Sequence, residues 1–183
     1  VMPCRKEYVK ESKDPQEVLD CLQEKFDKDL AVEIFREQKA GVENKTQFIE
    51  LWLKITRERF IELVDELFEF DFLHFHITSG NDDGDVVTLY YHFSLFRVAD
   101  RGKRLGLTIG VAVPKDDLVM PSLFDRIPGI EYSEREIREM LGVDFDGLPN
   151  KALIFLPDDW DQTIKPWRRD ETGPGPDVVR ELS

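Results

Sequence analysis

The feature that most limits how this chain can fold is a two-residue alternation of apolar side chains over three consecutive runs. Leu73, Phe75 and Ile77 alternate within residues 72–78; Val87, Leu89, Tyr91, Phe93 and Leu95 within 86–98; and Leu105, Leu107, Ile109, Val111 and Val113 within 105–113. Successive side chains of a strand point to opposite faces, so each run reads as a strand with one buried face. Only a polar loop, Ser79 to Asp85, and a turn over Asp100 to Arg104 separate the runs. Connections that short join antiparallel neighbours, because a parallel crossover needs a dozen residues or more. The three runs predict an antiparallel meander.

The upstream half adds a hairpin and two helices. Leu30, Val32 and Ile34 alternate over residues 30–36, and Ile49, Leu51, Leu53 and Ile55 over 48–55, with a turn carrying Gly41 and Asn44 between them. Asp14-Pro15-Gln16-Glu17 places Asp at the N-cap, Pro at N1 and Glu at N3 of a helix that buries Val18, Leu19, Leu22 and Phe26. Thr56 is positioned to cap a second helix, whose stripe is Phe60, Leu63, Val64, Leu67 and Phe68. The predicted fold class is α+β: a mainly antiparallel or mixed sheet with helices packed on one face and an extended proline-rich C-terminal arm. Residues 1–156 are expected to form a single domain with a flexible N-terminus over 1–13, and 157–183 a docking arm. That arm, with Pro149 just before it, holds half of the ten prolines, and it carries Trp160 and Trp167. Either an arm laid on a partner or one packed on its own sheet would cover those indoles.

Between them, residues 128–170 carry the most informative stretch. Ser133 and Glu136 have the spacing of a capping box that would start a helix at Glu134. Ile137, Met140 and Leu141 form its apolar stripe, Arg135 and Glu139 an outer i,i+4 pair, and Gly142 its left-handed end. Val143 to Phe145 then runs extended to a turn at Asp146-Gly147. On local physics alone this is a well-capped surface helix. Its company points further: Glu134-Arg135-Glu136, then Gly142-Val143-Asp144-Phe145, Gly147-Leu148-Pro149, Ile154-Phe155-Leu156-Pro157, Asp158-Asp159-Trp160 and Pro166-Trp167-Arg168-Arg169-Asp170, with Pro121-Ser122-Leu123 upstream.

This ordered series resembles the 30 kDa subunit family of respiratory complex I (NADH dehydrogenase), which also occurs in membrane-bound NiFe-hydrogenases and their sulfur-reducing relatives. The resemblance is strong over residues 121–170 and weaker over 14–120. Three positions depart from the usual pattern: Leu148 stands where many members have His, Ser133 where an aromatic is usual, and Ile137 to Gly142 replaces an aromatic-Asp-Leu-Phe-Gly run. These lean toward a hydrogenase-type or sulfur-reducing complex. The resemblance implies a cofactor-free peripheral subunit on the cytoplasmic side of the membrane, packed against a hydrogenase-large-subunit-like (complex I 49 kDa-like) partner. Fe–S clusters and a NiFe centre would lie in partner subunits, an Fe–S subunit and a membrane arm would complete the machine, and its electron transfer would drive H+ or Na+ translocation. Glu134, Arg135, Glu136, Trp160, Trp167, Arg168, Arg169 and Asp170 are the implied partner-interface residues. Reversing the charges of Arg168 and Arg169 is then expected to leave the isolated chain's melting temperature nearly unchanged.

Composition narrows the alternatives. A formal net charge of −13 argues against a surface for nucleic acid or an anionic membrane, since either would need a basic patch. No apolar run of membrane-spanning length and no secretory leader are visible. Charged residues make up 34% while Asn and Gln are few, a composition of thermophile type. Two cysteines, Cys4 and Cys21, are too few for an iron–sulfur cluster, and Cys21 is expected in the core. Neither a nucleotide-binding glycine loop nor a Gly-x-Ser-x-Gly elbow is present. His74, His76 and His92 fall on the polar face of two adjacent predicted strands, which leaves a stand-alone metal-dependent enzyme as the alternative function.

Overall fold

The computed structural model of the chain describes residues 7–44, 46–99 and 104–176. Helix α1 (Pro15–Phe26) starts as predicted, with the Asp14 carboxylate accepting from the Gln16 amide at 2.8 Å, and it buries Val18, Leu19, Leu22 and Phe26. Cys21 flanks that stripe and is only half-buried, not a core residue; Cys4 lies outside the described residues. Strands β1 (Leu30–Ala40) and β2 (Thr46–Ile55) pair antiparallel, Leu30 opposite Ile55, with a register shift between Val32 and Ile34. Helix α2 (Phe60–Phe70) buries the predicted stripe, but Thr56 makes no side-chain cap, because a 3-10 turn over Arg57–Arg59 begins the winding first.

The meander forms strands β3 (His74–Asp82), β4 (Val86–Leu95) and β5 (Leu105–Pro114), and the sheet order is β1-β2-β5-β4-β3. The hairpin and the meander meet through a parallel pair, β2 with β5, in which Ile49 stands beside Leu105 and Leu53 beside Ile109. Helix α2 lies in the connection that a parallel pair requires. β3 continues through Ser79 to Asp82, residues expected in a loop, and its outermost apolar residue Ile77 is half exposed because β3 is an edge strand.

Two compact units divide the chain: residues 1–77 with 90–111, and residues 78–89 with 112–183. In the first unit α2 lies on the inner sheet face, its Phe60 ring 4.4 Å from that of Tyr91. Asp71, fully buried, accepts from the Val9 amide at 2.7 Å and the Phe96 amide at 2.6 Å. Phe96 has φ 60°, a strained conformation for a side-chain-bearing residue, and the Asp71 bond holds it there. Tyr8 packs edge-on against Phe72, ring centres 4.9 Å apart, next to the Val9–Asp71 bond.

The second unit contains helix α3 (Glu131–Leu141) and a parallel pair of short strands, β6 (Val119–Pro121) and β7 (Asp144–Asp146). The capping box does not form. A 3-10 turn over Pro128–Ile130 nucleates the helix at Glu131, which places Ser133 inside it. Gly142 ends α3 at φ 81°, as read from the sequence. Gly80 of β3 lets α3 approach: a Cβ there would lie 2.5 Å from Leu141 Cδ1. Residues 157–176 run through linked turns, with the Trp160 amide bonded to the Pro157 carbonyl and the Lys165 amide to the Thr172 carbonyl.

Candidate docking surface

Helix α3 organises the second unit through three buried or half-buried charges, each of which binds main chain. Glu134 is fully buried, and its carboxylate accepts from the Leu123 amide at 2.8 Å and the Ser122 hydroxyl at 2.5 Å. The Pro-Ser-Leu of the sequence signature is thus the cradle of the first Glu. Burial pushes this carboxyl up to about 7, against the opposing pull of the two hydrogen bonds. Glu139, which the helical spacing placed on the outer face, is buried instead and accepts from the amides of Ile154, Phe155 and Leu156. Arg135 does not pair with it. Its guanidinium donates to the carbonyls of Ala152 and Leu153 at 2.9 and 3.2 Å and pairs with Glu131 at 3.4 Å.

Arg138 adds a bond to the Lys151 carbonyl at 3.1 Å and an ion pair with Asp144 at 3.0 Å. Residues 151–156 lie in no sheet ladder, yet α3 supplies side-chain partners for six of their backbone groups. This is how the Ile-Phe-Leu segment is held in place with Phe155 turned out, 62% exposed. Tyr132, 66% exposed, stands at the start of α3 with the Arg135 guanidinium 5.6 Å from its ring centre. At the other end, Trp167 bonds through its amide to the Met140 carbonyl at 3.0 Å and is 45% exposed. Three exposed aromatic side chains therefore flank α3: Tyr132 on its first turn, Phe155 on backbone that the buried Glu139 holds, and Trp167 bonded to its last turn.

The closing Trp-Arg-Arg-Asp divides sharply. Arg168 is buried, donating to the Leu141 carbonyl at 3.1 Å and pairing with Asp170 at 2.5 Å and Asp82 at 3.5 Å. Lys115 completes the group, 2.6 Å from both Asp82 and Asp170. Hydrogen bonds from Arg168, Lys115 and Thr172 hold the Asp170 carboxyl far below the usual range. For Asp82, burial acts upward, but the Lys115 bond and the Arg169 and Gly84 amides outweigh it and the net shift is down. Arg168 and Asp170 thus tie the tail to the chain's own second unit. Arg169 uses only its amide there, 2.7 Å from Asp82, and projects its side chain outward. Trp160 is half-buried with its indole N–H on the Ile164 carbonyl at 3.0 Å, and Glu136 lies half-buried on α3 between Tyr132 and Met140.

The histidines do not make a metal centre. His76 Nε2 lies 3.0 Å from Ser94 Oγ, His92 Nδ1 lies 3.1 Å from Thr108 Oγ1, and His74 Nε2 accepts from Arg97 at 2.7 Å. Each imidazole is thus committed to a different neighbour. Among the described residues no group of three or more His, Cys, Asp or Glu side chains could hold a metal ion. The metal-enzyme alternative is set aside on this geometry. Among the same residues no helix is long and apolar enough to cross a membrane.

The chain is 38% identical over 131 residues to the membrane-bound hydrogenase subunit beta of Pyrococcus furiosus, covering 71% of this chain and 75% of that one. Against the formate hydrogenlyase subunit 5 of Escherichia coli it is 33% identical over 94 residues, half of this chain and 16% of that much longer relative. Among solved structures, a chain of the membrane-bound sulfane sulfur reductase, an archaeal respiratory membrane complex, shares the fold with a TM-score of 0.64 at 18% identity, covering 86% of this chain and 85% of that one. The family described as "Respiratory-chain NADH dehydrogenase, 30 Kd subunit" matches residues 53–177, more than half of the sequence, and the chain belongs to that family.

Proposed function

We propose that the chain is a cofactor-free peripheral subunit of a membrane-bound, complex-I-like oxidoreductase, of the hydrogenase or sulfur-reducing type. In this reading it sits on the cytoplasmic side and scaffolds a hydrogenase-large-subunit-like partner, whose NiFe centre and neighbouring Fe–S clusters move the electrons. The observation that carries the proposal is the row of exposed aromatics on rigid backbone: Tyr132, Phe155 and Trp167 strung along α3, with Glu136 and Arg169 beside them. Large aromatics and arginine dominate the energetics of protein interfaces, and those preordered in the free protein lose little conformational entropy on binding. The buried carboxylates Glu134 and Glu139 serve that preordering and do not touch the partner. Glu136, Arg169 and the Arg135 guanidinium stacked on Tyr132 supply the polar contacts.

The test is co-expression of the chain with the large-subunit-like protein of its own complex. Changing Tyr132 and Phe155 together to Ala is expected to leave the isolated chain folded, since neither ring is buried, and to weaken assembly at least 100-fold, about 3 kcal/mol or more. Recovery of the variant with that partner at wild-type yield overturns the placement of the interface.

A further inference from the structure

The first unit carries a second surface that the α3 row does not use. Pairing across β1, β2 and β5 sets Arg36 beside Glu50, Glu50 beside Gly106, and Trp52 beside Thr108 on the outer sheet face. β4 and β3 extend that face. Tyr90 lies 6.3 Å from Trp52, His92 bonds Thr108, and His76 bonds Ser94. Phe48, Trp52, His76, His92 and Arg104 line a groove of about 240 Å³ there, with Gly106 in its floor, where a Cβ would meet the Ile49 carbonyl oxygen at an ordinary contact distance of 3.6 Å. A mid-strand glycine contributes no side chain to the sheet face and so leaves a trough in it.

Two arginines stand at this trough, Arg104 in its lining and Arg97 on His74 beside His76. Against a net charge of −13, Arg36, Arg59, Arg135, Arg138 and Arg168 each hold a carboxylate. Arg97 and Arg104 hold none among the described residues: Arg97 donates to the His74 ring and Arg104 is exposed. Both guanidiniums act on His74 and His76, whose imidazoles burial and these charges keep below their usual range. Glu50, the acid in the groove, is already engaged by Arg36 at 2.7 Å and Gln38 at 3.0 Å. The chemistry of the trough therefore selects an anion. Its volume falls short of the roughly 300–1,000 Å³ of small-molecule sites, and its Phe48 and Trp52 walls suit an apolar-flanked side chain, not a free ion.

We propose that this groove receives an aspartate or glutamate side chain from an extended segment of a neighbouring polypeptide, with Arg97 and Arg104 as its counter-charges. The inference rests on the subunit reading above but uses a different face. Charge complementarity of this kind fixes orientation and partner choice more than raw affinity.

The experiment uses the complex assembled from co-expressed subunits. Arg97→Glu with Arg104→Glu is expected to cut assembly at least tenfold, while Arg97→Lys with Arg104→Lys stays within threefold. The isolated variants are checked by circular dichroism, and Arg97→Gln with Arg104→Gln, which introduces no repulsion, is expected to fall between the two. Carbodiimide treatment of the assembled Arg104→Lys complex should yield an amide between residue 104 and a partner Asp or Glu, located by mass spectrometry. Wild-type assembly that is indifferent to charge reversal, with no such amide, overturns this inference alone. Failure of the wild-type chain to join any partner overturns the subunit reading and this inference with it. Pelleting of the isolated chain with phosphatidylglycerol vesicles, abolished by the Glu variants, would assign the groove to a lipid headgroup and also overturn the proposal.

Discussion

Two glutamates of the same helix illustrate how surroundings decide what a carboxyl does. Glu134 is closed off with one amide and one hydroxyl, and burial raises it to about 7. Its acid form is therefore the one the fold favours. With the folded value above the unfolded one, its contribution is fully present in acid and falls away as pH rises from near 4.5 through about 7. Glu134→Gln keeps an acceptor for Leu123 and removes the charge. It is expected to match the wild type near pH 4 and to exceed it in stability by up to roughly 3 kcal/mol at pH 8. Denaturant unfolding at both pH values checks this; an equal difference at the two would mean that folding leaves the Glu134 carboxyl at its ordinary value. Arg168 gives the second prediction at this scale. Its loss leaves Asp82 and Asp170 sharing Lys115, so Arg168→Ala is expected to cost about 3–5 kcal/mol. Arg169→Glu, on an outward side chain, should stay within about 0.5 kcal/mol. The expectation that both reversals would be silent in the isolated chain is thus corrected for Arg168, and thermal melts of the two single variants separate the cases.

Among the elements, α3 acts through its side chains more than through its apolar stripe. Glu139→Ala would leave the amides of residues 154–156 without their carboxylate, at about 2–4 kcal/mol. Hydrogen exchange at those three amides should accelerate well before the rest of the unit. Protection unchanged there would mean that the segment is held by other contacts. That role was not legible in the sequence. Helical spacing puts Glu139 four residues from Arg135, but which partner wins depends on where residues 150–156 pass, and no local pattern encodes that path. Alternation, by contrast, is a direct trace of burial, so β3, β4 and β5 and their inner faces could be read from Leu73 to Val113. It specifies a face and not a neighbour, which is why the β2–β5 pairing emerged only in three dimensions. The helix start at Glu131 was hidden by a good capping box one turn along, overridden by the Pro128 turn. The signature residues were visible as a series; that Ser122 and Leu123 exist to hold Glu134 was not.

At the scale of the whole molecule, the tail is where the sequence leaves two placements open. Proline content and two tryptophans suit an arm laid on a partner or one packed on the chain itself, and Arg168 and Asp170 anchor residues 165–172 to Asp82, Lys115 and the end of α3 within the second unit. Cutting the chain after Leu156 would therefore leave Asp82 with Lys115 and the Gly84 amide and remove the main-chain bond to Met140. What stays on offer to a partner is narrower than the full tail: the aromatic row along α3 and, in the first unit, the trough over Gly106.

The place of β5 has a consequence for biosynthesis. It is the central strand in space and the last of the five to be made. Until it leaves the ribosome, β2 and β4 present bare backbone edges, each able to recruit a foreign strand. At about 5–20 residues per second, the stretch from the end of β2 to the start of β5 takes roughly 3–10 s to synthesise. An isolated hairpin is marginal in water over that interval. The newborn subunit thus depends on its acidic surface, or on a chaperone, to stay unaggregated until its middle strand arrives.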